Sequence, residues 1–435
     1  MNATVCNPLL RTPLSLIIDD SCPVINLTYY WMQQWLAWRP RHRPDLPPAR
    51  WEGNPIVPKL SRTIPVDFAQ KWGEWCGEQG IRGKFSFVPF PAGQGRVDQG
   101  FPDHPRHLLA DWLKLTKEIL WPHFDLTPEM LTHSHVVDIK TMSLTNQWEQ
   151  VEWYDPPVEP LTDYIATAMQ LLKNVGIPCE GVTSPGAFGK KKEAAYSKAI
   201  LDAALRVNNN PRPFYFLWLD DQRPPSVPLW HVQKEKGIAV ASIWACAGDW
   251  FGSWTGFDRG DPDRFITEDL QGGRLPAVLA KELPCVLCGH WPGFYFEGEE
   301  FGFNVLKTVK RRLDAYDPDR TKTLWMKNSE IAHYWMAREL SDITVGGASA
   351  PRGSRDGDVP PTMPDRVTIT TKFPTDSFTL KLGECAARRV QVNGADLRQV
   401  ATRRDFRSGA FLVEGRDTFV AFPLKEGVTR IETHA

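Results

Sequence analysis

Two adjacent carboxylates, Asp19 and Asp20, directly follow the apolar run Leu14–Ile18. An apolar run of this length with polar residues on both sides is typical of a buried strand. A buried carboxylate is costly unless it has a partner, so these two acids need partners at the strand end. In barrels and open sheets of parallel strands, catalytic residues meet at the C-terminal strand ends. The pattern therefore predicts a functional site here, although Asp20 and Ser21 would also suit the N-cap of a helix.

Polar side chains also follow four later apolar runs, and their types suit acid-base chemistry or metal binding. They are His133, His135 and Asp138 after one run, the sharp turn 181–186 after the next, then Asp249 beside Trp250, and His290 beside Trp291. We expect these carboxylates and imidazoles to converge, because the ends of parallel strands meet on one face. Each histidine taken alone would also fit a hydrogen-bonded core position.

The elements that must position these residues belong to an α/β fold. Between about residues 12 and 340, short apolar runs alternate with amphipathic segments, which indicates βα units. The predicted strands are Leu14–Ile18, Lys84–Pro89, Met130–Val137, Gly181–Ser184, Phe214–Leu219, Ile238–Ala245 and Pro284–Cys288. The predicted helices between them include Asp111–Leu120, Asp163–Asn174, Lys191–Val207 and Asn304–Ala315. Seven such strands fit a (β/α) barrel, complete or partial, or a large open sheet, and we expect a distorted or incomplete barrel over residues 1–345.

The last part of the chain differs in composition and in the length of its apolar runs. Residues 346–365 are rich in Gly, Pro, Ser and charged side chains, which predicts a linker. Residues 366–435 contain several short strand-like runs, and Asn393-Gly394 is a hairpin turn signal. We therefore expect a small C-terminal domain resembling a β-sandwich.

Length, charge and composition limit the classes of protein that fit this chain. At 435 residues it exceeds what one hydrophobic core usually serves. The 51 basic and 52 acidic residues nearly cancel, which argues against a nucleic-acid partner. No apolar run approaches the roughly 18 residues of a membrane span and no signal segment is evident, so we expect a cytoplasmic protein without membrane contact. Because aromatic faces can stack on sugar rings, the 18 Trp and 22 Phe residues favour a carbohydrate substrate.

The strand ends also match, in order, a series of five short motifs. The first motif is Asp19-Asp20 at the end of the first strand, and the second, His-Ser/Thr-x-x-His, is partly matched by His133-Ser134-His135. Thr183-Ser184-Pro185 stands where the series has Arg-x-Pro. The last two motifs are matched by Asp249-Trp250 and Leu287-Cys288-Gly289-His290. In this order, residues 10–340 resemble a divergent member of the polysaccharide deacetylase superfamily of carbohydrate esterases. The resemblance implies a barrel that hydrolyses an acetyl amide or ester on a carbohydrate.

The resemblance implies a divalent metal cofactor, usually zinc. Asp20 and His133 match two of its ligands. The second histidine ligand of the family falls on Val137, so His135 or Asp138 would take its place. If the segment is extended, His135 shares a face with His133, whereas a turn after residue 134 would favour Asp138.

The resemblance also implies acid-base roles beside the metal. Asp19 would activate water, His290 would protonate the leaving group, and Asp249 would complete the catalytic set. The arginine that attends the base in the family is replaced by Thr183. Aromatic residues near these strand ends predict a substrate cleft formed by Trp250, Trp291 and Tyr295.

Two further functions are compatible with the same residues. Asp19 or Asp20 could pair with Asp249 or Glu299 as the two carboxylates of a glycoside hydrolase, which needs no metal. The chain could also be a carbohydrate-binding pseudoenzyme that keeps its aromatic cleft, with Trp254 and Phe294 added to the predicted aromatic residues.

Overall fold

The structure is a computed structural model that describes residues 1–153, 155–186, 188–218, 222–346 and 365–434. Most of the predicted linker, residues 347–364, and Leu219 in a predicted strand lie outside the described residues. The described helices are α1 (Leu27–His42), α2 (Val66–Glu78), α3 (Arg106–Leu115), α4 (Val158–Asn174), α5 (Glu193–Asn208), α6 (Pro262–Phe265), α7 (Arg274–Leu279), α8 (Trp291–Phe294), α9 (Phe301–Tyr316) and α10 (Asn328–Leu340). None of the helices in these ranges has the length and apolar character that crossing a membrane requires.

The strands fall into a first group that alternates with the helices and a second group near the C-terminus. The strands up to residue 325 are β1 (Asn2–Val5), β2 (Thr12–Asp19), β3 (Gly83–Ser86), β4 (Phe124–Thr127), β5 (His135–Asp138), β6 (Ser143–Trp148), β7 (Gly181–Thr183), β8 (Phe214–Leu217), β9 (Leu229–Gln233), β10 (Ile238–Trp244), β11 (Cys285–His290) and β12 (Thr323–Trp325). The later strands are β13 (Asp342–Gly346), β14 (Asp365–Thr371), β15 (Thr375–Gly383), β16 (Arg389–Val392), β17 (Ala395–Asp396), β18 (Arg398–Val400), β19 (Ala410–Glu414), β20 (Asp417–Leu424) and β21 (Gly427–His434).

Two sheets of mainly parallel strands form the larger part of the molecule. One has the order β11-β2-β3-β4, with β12 also paired to β2, and the other has the order β7-β8-β10-β9. At one junction Thr183 N donates to Pro128 O at 2.9 Å, and at the other Cys246 N donates to Val286 O at 2.8 Å. The ladders do not continue across these junctions, so the described strands form no closed barrel. The predicted α/β class is confirmed.

Side-chain alternation along the strands separates an outer core from an inner one. Leu14, Leu16 and Ile18 of β2 belong to the cluster that the surrounding helices cover, whereas Ile17 packs in a second cluster with Phe216. Because the side-chain period of a strand is two, Ser15 and Asp19 share the inner face with Ile17. The last inner position of β2 is therefore a carboxylate.

Only the last three residues of the predicted strand Met130–Val137 lie in a strand, and the conformation of the others matters for the site. The strand beside β3 is β4, which ends at Thr127, and the chain then turns before the β5–β6 hairpin begins at His135. Pro128 cannot donate a ladder hydrogen bond, and positive φ angles of 50° at Met130 and 58° at His133 break the extended backbone. His133 therefore lies in a turn after β4.

Two mixed or antiparallel sheets form the C-terminal module. Their strand orders are β13-β14-β21-β16-β17 and β1-β15-β20-β19-β18. The N-terminal residues Asn2–Val5 supply an edge strand of the second sheet by pairing with Leu380–Gly383. Ile369 and Phe378 of the module share one hydrophobic cluster with Ile331 of α10 and with Ile17. The module thus packs on the inner core through α10.

Candidate active site

A cavity of about 420 Å³ lies where the inner strands end. Asp19 and His290 are register partners at the ends of β2 and β11, so two ionisable side chains enter the cavity from neighbouring strands. Cys288 also comes from β11, and the other lining residues come from the loops that follow the strands and from α1. The polar and charged lining residues are Asp19, Asp20, Thr28, His133, Gln150, Asp249, Cys288 and His290, and the remainder are Leu27, Trp31, Trp35, Val151, Gly186, Trp218 and Trp254.

Asp19 and Asp20 both line the cavity although they are adjacent in sequence. In a regular strand, successive side chains would point to opposite faces. Asp20 has a φ of +56°, which ends the extended conformation and turns the second carboxylate to the same side as the first. A left-handed backbone at a residue other than glycine is strained and recurs at functional sites.

Asp19 is paired with Lys84, a lysine that is fully buried on the inner face of β3. The Lys84 ammonium also donates to Ser86 Oγ at 3.0 Å and to Ile18 O at 3.3 Å. Burial raises the pKa of Asp19, the Lys84 charge lowers it and the Glu129 charge raises it, with a net pKa of about 6. Asp19 is therefore a carboxyl group that can carry a proton near neutral pH.

His133 lies between two carboxylates. Its Nε2 is 2.7 Å from Asp20 Oδ1 and 3.1 Å from Glu129 Oε1, and the second Glu129 oxygen accepts from Asp20 N at 2.9 Å. Burial lowers the pKa of His133, but the charges of Asp20 and Glu129 outweigh burial and raise it well above its usual value. Burial likewise raises the pKa of Asp20, and the charges of His133 and His290 bring it below its usual value.

His290 and Asp249 form a second pair in the cavity. His290 Nδ1 lies 2.8 Å from Asp249 Oδ2, with about one-fifth of each side chain exposed. Burial lowers the pKa of His290, but the charges of Asp249 and Asp20 raise it to about 10. His290 is therefore a cation at neutral pH, and Asp249 is its main counter-ion.

Indole rings form one wall of the cavity. Trp31 of α1 stacks on Trp35 at 5.3 Å between ring centroids, with 9° between the ring planes. Trp254 and the buried Trp148 each make a T-shaped contact with Trp31, with ring centroids 5.1 Å and 4.9 Å from that of Trp31. Trp218 adds a ring that is 36% exposed. These rings are held by their own packing before any ligand enters, and their flat faces suit a sugar ring.

Five of the predicted site residues come together in this cavity. They are Asp19, Asp20, His133, Asp249 and His290. Two predicted metal ligands lie elsewhere. His135 packs its ring against Trp148 at 4.6 Å, and the exposed Asp138 accepts a hydrogen bond from Lys140 N at 2.9 Å. Neither side chain lines the cavity, because β5 belongs to a separate hairpin.

The predicted aromatic cleft of Trp250, Trp291 and Tyr295 does not line the cavity. Trp250 is 8% exposed and packs on Phe265 at 5.1 Å. Trp291 has no exposed surface and lies in the core beneath the strand ends. Tyr295 lines a separate, smaller pocket. Aromatic residues at these strand ends point into the core because the adjacent helices cover them.

Lys84 and Glu129 are site residues that were not predicted from the sequence. The signal for Lys84 is a charged residue at an inner position of a short apolar strand, two residues before the inner Ser86. The signal for Glu129 is an acid two residues after Thr127, the end of β4. The predicted strand here is Met130–Val137, so Glu129 does not fall at a predicted strand end. The wall of Trp31 and Trp35 carries no such signal, because both rings lie on an ordinary helix.

Comparison with known proteins gives no family for this chain. No family matches it, and no curated protein matches it. Solved structures that match include a GH31 dextranase from Flavobacterium johnsoniae complexed with isomaltotriose (9% identity, 85% of this chain and 69% of that chain, TM-score 0.30). Two others are an endo-β-1,6-glucanase (9%, 99% and 93%, TM-score 0.29) and the catalytic domain of GH30 xylanase C from Talaromyces cellulolyticus (7%, 86% and 93%, TM-score 0.25). Because TM-scores of this size do not establish a shared fold, the function has to be argued from the cavity itself.

The resemblance to the polysaccharide deacetylases is wrong. The similar structures are glycoside hydrolases, and no family matches. The physical reasons lie in the site: Val137, at the position of the second histidine ligand, is buried in the core, and His135 is held against Trp148. Thr183 has no charge to replace the family arginine, and its hydroxyl bonds that of Thr127 at 2.8 Å.

Proposed function

We propose that the chain is a carbohydrate-active hydrolase that cleaves glycosidic bonds, with Asp19 and Asp249 as its two carboxylates. One observation carries the proposal: a single cavity holds carboxyl groups in different electrostatic environments beside a wall of indole rings. A glycoside hydrolase needs one carboxyl group that gives up a proton and one that stays ionised.

Asp19 suits the role of the proton donor. Its pKa of about 6 leaves a usable protonated fraction near neutral pH. Lys84 holds Oδ1 of this carboxyl group, and among the described residues the other oxygen, Oδ2, has only the weak Cys288 Sγ donor at 3.9 Å. In the proposed reaction Asp19 transfers its proton to the glycosidic oxygen as the bond from that oxygen to the anomeric carbon breaks.

Asp249 suits the role of the ionised partner. His290, a cation at neutral pH, holds Oδ2, while the buried Oδ1 has no hydrogen-bond partner within the described parts of the chain. In the proposed reaction a rotation of the side chain exposes Oδ1 to the cavity, where it attacks the anomeric carbon or takes a proton from an attacking water. Glu299, the other acid considered for this role, is exposed and does not line the cavity.

The cavity also suits the proposed substrate. A sugar ring has apolar faces and a rim of hydroxyl groups. Its binding site therefore requires aromatic faces for the apolar part, and ionised carboxylates beside hydrogen-bond donors for the hydroxyl groups. The indole wall meets the first requirement, and Asp20, Gln150 and Thr28 meet the second. A binding protein without catalysis would not need two carboxyl groups that are each paired with a separate cation, Asp19 with Lys84 and Asp249 with His290.

The proposal is tested by incubating the full chain with a panel of α- and β-linked glucans and xylans. We expect new reducing ends from at least one polysaccharide, and their loss in the Asp19→Asn variant. Substrate binding without any cleavage across the panel would contradict the proposal and favour the binding-only function. Release of acetate from acetylated substrates without new reducing ends would contradict it as well.

The pKa of Asp19 sets an expected pH dependence. Because Asp19 must be protonated to act, kcat/KM is expected to be highest below pH 6 and to fall about tenfold per pH unit above it. The measurement is kcat/KM from pH 4.5 to 8.5, with circular dichroism at each pH to show that the fold is retained. A rate that stays level from pH 6 to 8.5 would remove Asp19 from the role of acid.

The exposed Trp218 is expected to contribute to substrate affinity. Trp218→Ala removes one ring of the cavity wall, and we expect KM to rise about tenfold, which is about 1.4 kcal/mol, with kcat nearly unchanged. Val232→Ala serves as the control, because Val232 is similarly exposed at 41% but lies outside the cavity. Equal kinetics for the Trp218 variant and the unmodified chain would show that this ring does not contact substrate.

A further inference from the structure

Asp20, Glu129 and His133 form a compact buried group, called here the Asp20–Glu129–His133 cluster. The three side chains are 5%, 1% and 6% exposed. One ligand atom from each lies within 4.8 Å of the other two. Two of the residues, Asp20 and His133, line the cavity, so the cluster is open to small solutes from that side.

The charges of the cluster do not balance. It holds two carboxylates and one imidazole, so one negative charge remains even when His133 is protonated. The nearest other cations are already paired, Lys84 with Asp19 and His290 with Asp249. An unbalanced buried charge is costly, which means that the cluster is suited to a further cation.

The contacts within the cluster also leave an oxygen without a proper partner. Asp20 Oδ1 lies 2.7 Å from His133 Nε2, yet this oxygen is buried and accepts no hydrogen bond of normal geometry within the described residues. The same imidazole nitrogen is 3.1 Å from Glu129 Oε1. One nitrogen and two oxygens therefore crowd together as the ligands of a shared cation do.

We infer that the Asp20–Glu129–His133 cluster is a binding site for one divalent transition-metal cation, with Zn²⁺ as the first choice. Imidazole nitrogen and carboxylate oxygen are both ligands of Zn²⁺, and sites with three protein ligands leave a position for water or substrate. A divalent cation also balances the two carboxylates when His133 is neutral. Glu129 thus takes the place that the sequence analysis gave to His135 or Asp138.

This inference does not rest on the proposed function. Cleavage by Asp19 and Asp249 needs no cation, and cation binding can be measured without any substrate. A result against one proposal therefore leaves the other standing.

The test is calorimetric titration of the full chain, freed of metal with EDTA and dialysed, with ZnCl₂, MnCl₂ and CaCl₂ in turn. We expect one equivalent of Zn²⁺ to bind and to raise the melting temperature. Glu129→Gln should weaken Zn²⁺ binding by at least about tenfold. Substituting a residue that only hydrogen-bonds to a metal ligand already has an effect of this size, and loss of the ligand itself should have a larger one. Asp138→Asn is the matched control and should bind Zn²⁺ like the unmodified chain.

Several outcomes would overturn the site. The first is that the unmodified chain binds none of the three cations or binds Ca²⁺ alone. The second is that the Glu129→Gln variant binds Zn²⁺ with unchanged affinity. The third is that the Asp138→Asn variant loses as much Zn²⁺ affinity as the Glu129→Gln variant. Circular dichroism shows whether each variant is folded. If Glu129→Gln does not fold, His133→Gln replaces it and is expected to show the same loss of affinity.

Discussion

Asp249→Asn is expected to lower kcat on the cleaved polysaccharide about a thousandfold, within the range that general acid-base groups contribute. The substitution keeps the size of the side chain and a contact to His290, but it removes the negative charge that stabilises the positive charge developing on the sugar. KM should change little, because Asp249 is proposed to act mainly in the transition state. The measurement is the initial rate of reducing-end formation at saturating substrate.

Asp258→Asn is the control for this prediction. Asp258 lies in the same loop and is exposed, and its carboxylate accepts from Gly260 N at 3.1 Å. Its variant should keep full activity. The anomer that the unmodified chain releases first distinguishes the two roles of Asp249: retention of configuration indicates attack of Asp249 on the anomeric carbon, and inversion indicates that Asp249 takes a proton from the attacking water. Asp249→Asn with undiminished kcat would exclude Asp249 from the reaction.

Lys84→Met is expected to destabilise the fold by about 3–5 kcal/mol at pH 7.5, the usual cost of breaking a buried ion pair. Lys84 is fully buried and Asp19 is 4% exposed, so the remaining carboxylate has no water to replace the lost ammonium. Loss of the Lys84 charge also raises the pKa of Asp19 beyond its value of about 6. The free energy of unfolding is measured by urea titration with circular dichroism.

The pH dependence of the Lys84→Met variant follows from the sign of that shift. A carboxyl group whose pKa is higher in the folded than in the unfolded chain binds more protons when folded, so its stability falls as pH rises between the two pKa values. The deficit relative to the unmodified chain should therefore be smaller at pH 5 than at pH 7.5. A deficit that grows on acidification would contradict the electrostatic origin of the loss.

Two controls separate the buried pair from lysine loss in general. The double variant Lys84→Met with Asp19→Asn removes both charges and should recover much of the lost stability. Lys71→Met removes a lysine that is 56% exposed and lies 2.8 Å from Glu300, and this change should cost no more than about 1 kcal/mol. If Lys84→Met costs no more than Lys71→Met, the buried pair contributes nothing special to the fold.

Local sequence patterns were sufficient to predict the α/β class and many of the strands in the two mainly parallel sheets. The runs at β2, β10 and β11 are mostly apolar and carry no charged residue before the strand end, and such runs have few other ways to bury their side chains. The pattern was misleading after residue 124. The polar residues Asp125 and Thr127 interrupt the apolar run of β4, and their partners are distant in sequence: Ser329 of α10 donates to Asp125, and the hydroxyl of Thr127 bonds that of Thr183 in β7.

The same distinction applies to the candidate site. Asp19, Asp20, Asp249 and His290 could be singled out from sequence because each follows an apolar run, and a strand end is a local feature. Which aromatic rings face the cavity could not be singled out. Trp250 and Trp31 have the same side chain, and only the packing of the loops and of α1 places one in the core and the other at the wall.

The chain by itself determined that two carboxylates stand at the end of a buried strand, because strand formation and side-chain type are local properties. The tertiary structure alone decided what those carboxylates do. Lys84 reaches Asp19 from 65 residues away, and Glu129 reaches the backbone of Asp20 from 109 residues away. The strength of a charge interaction depends on distance and burial, and both are set only when separate strands pack side by side. Asp19 is thereby raised to a pKa of about 6, while its neighbour Asp20 stays ionised beside His133 and Glu129.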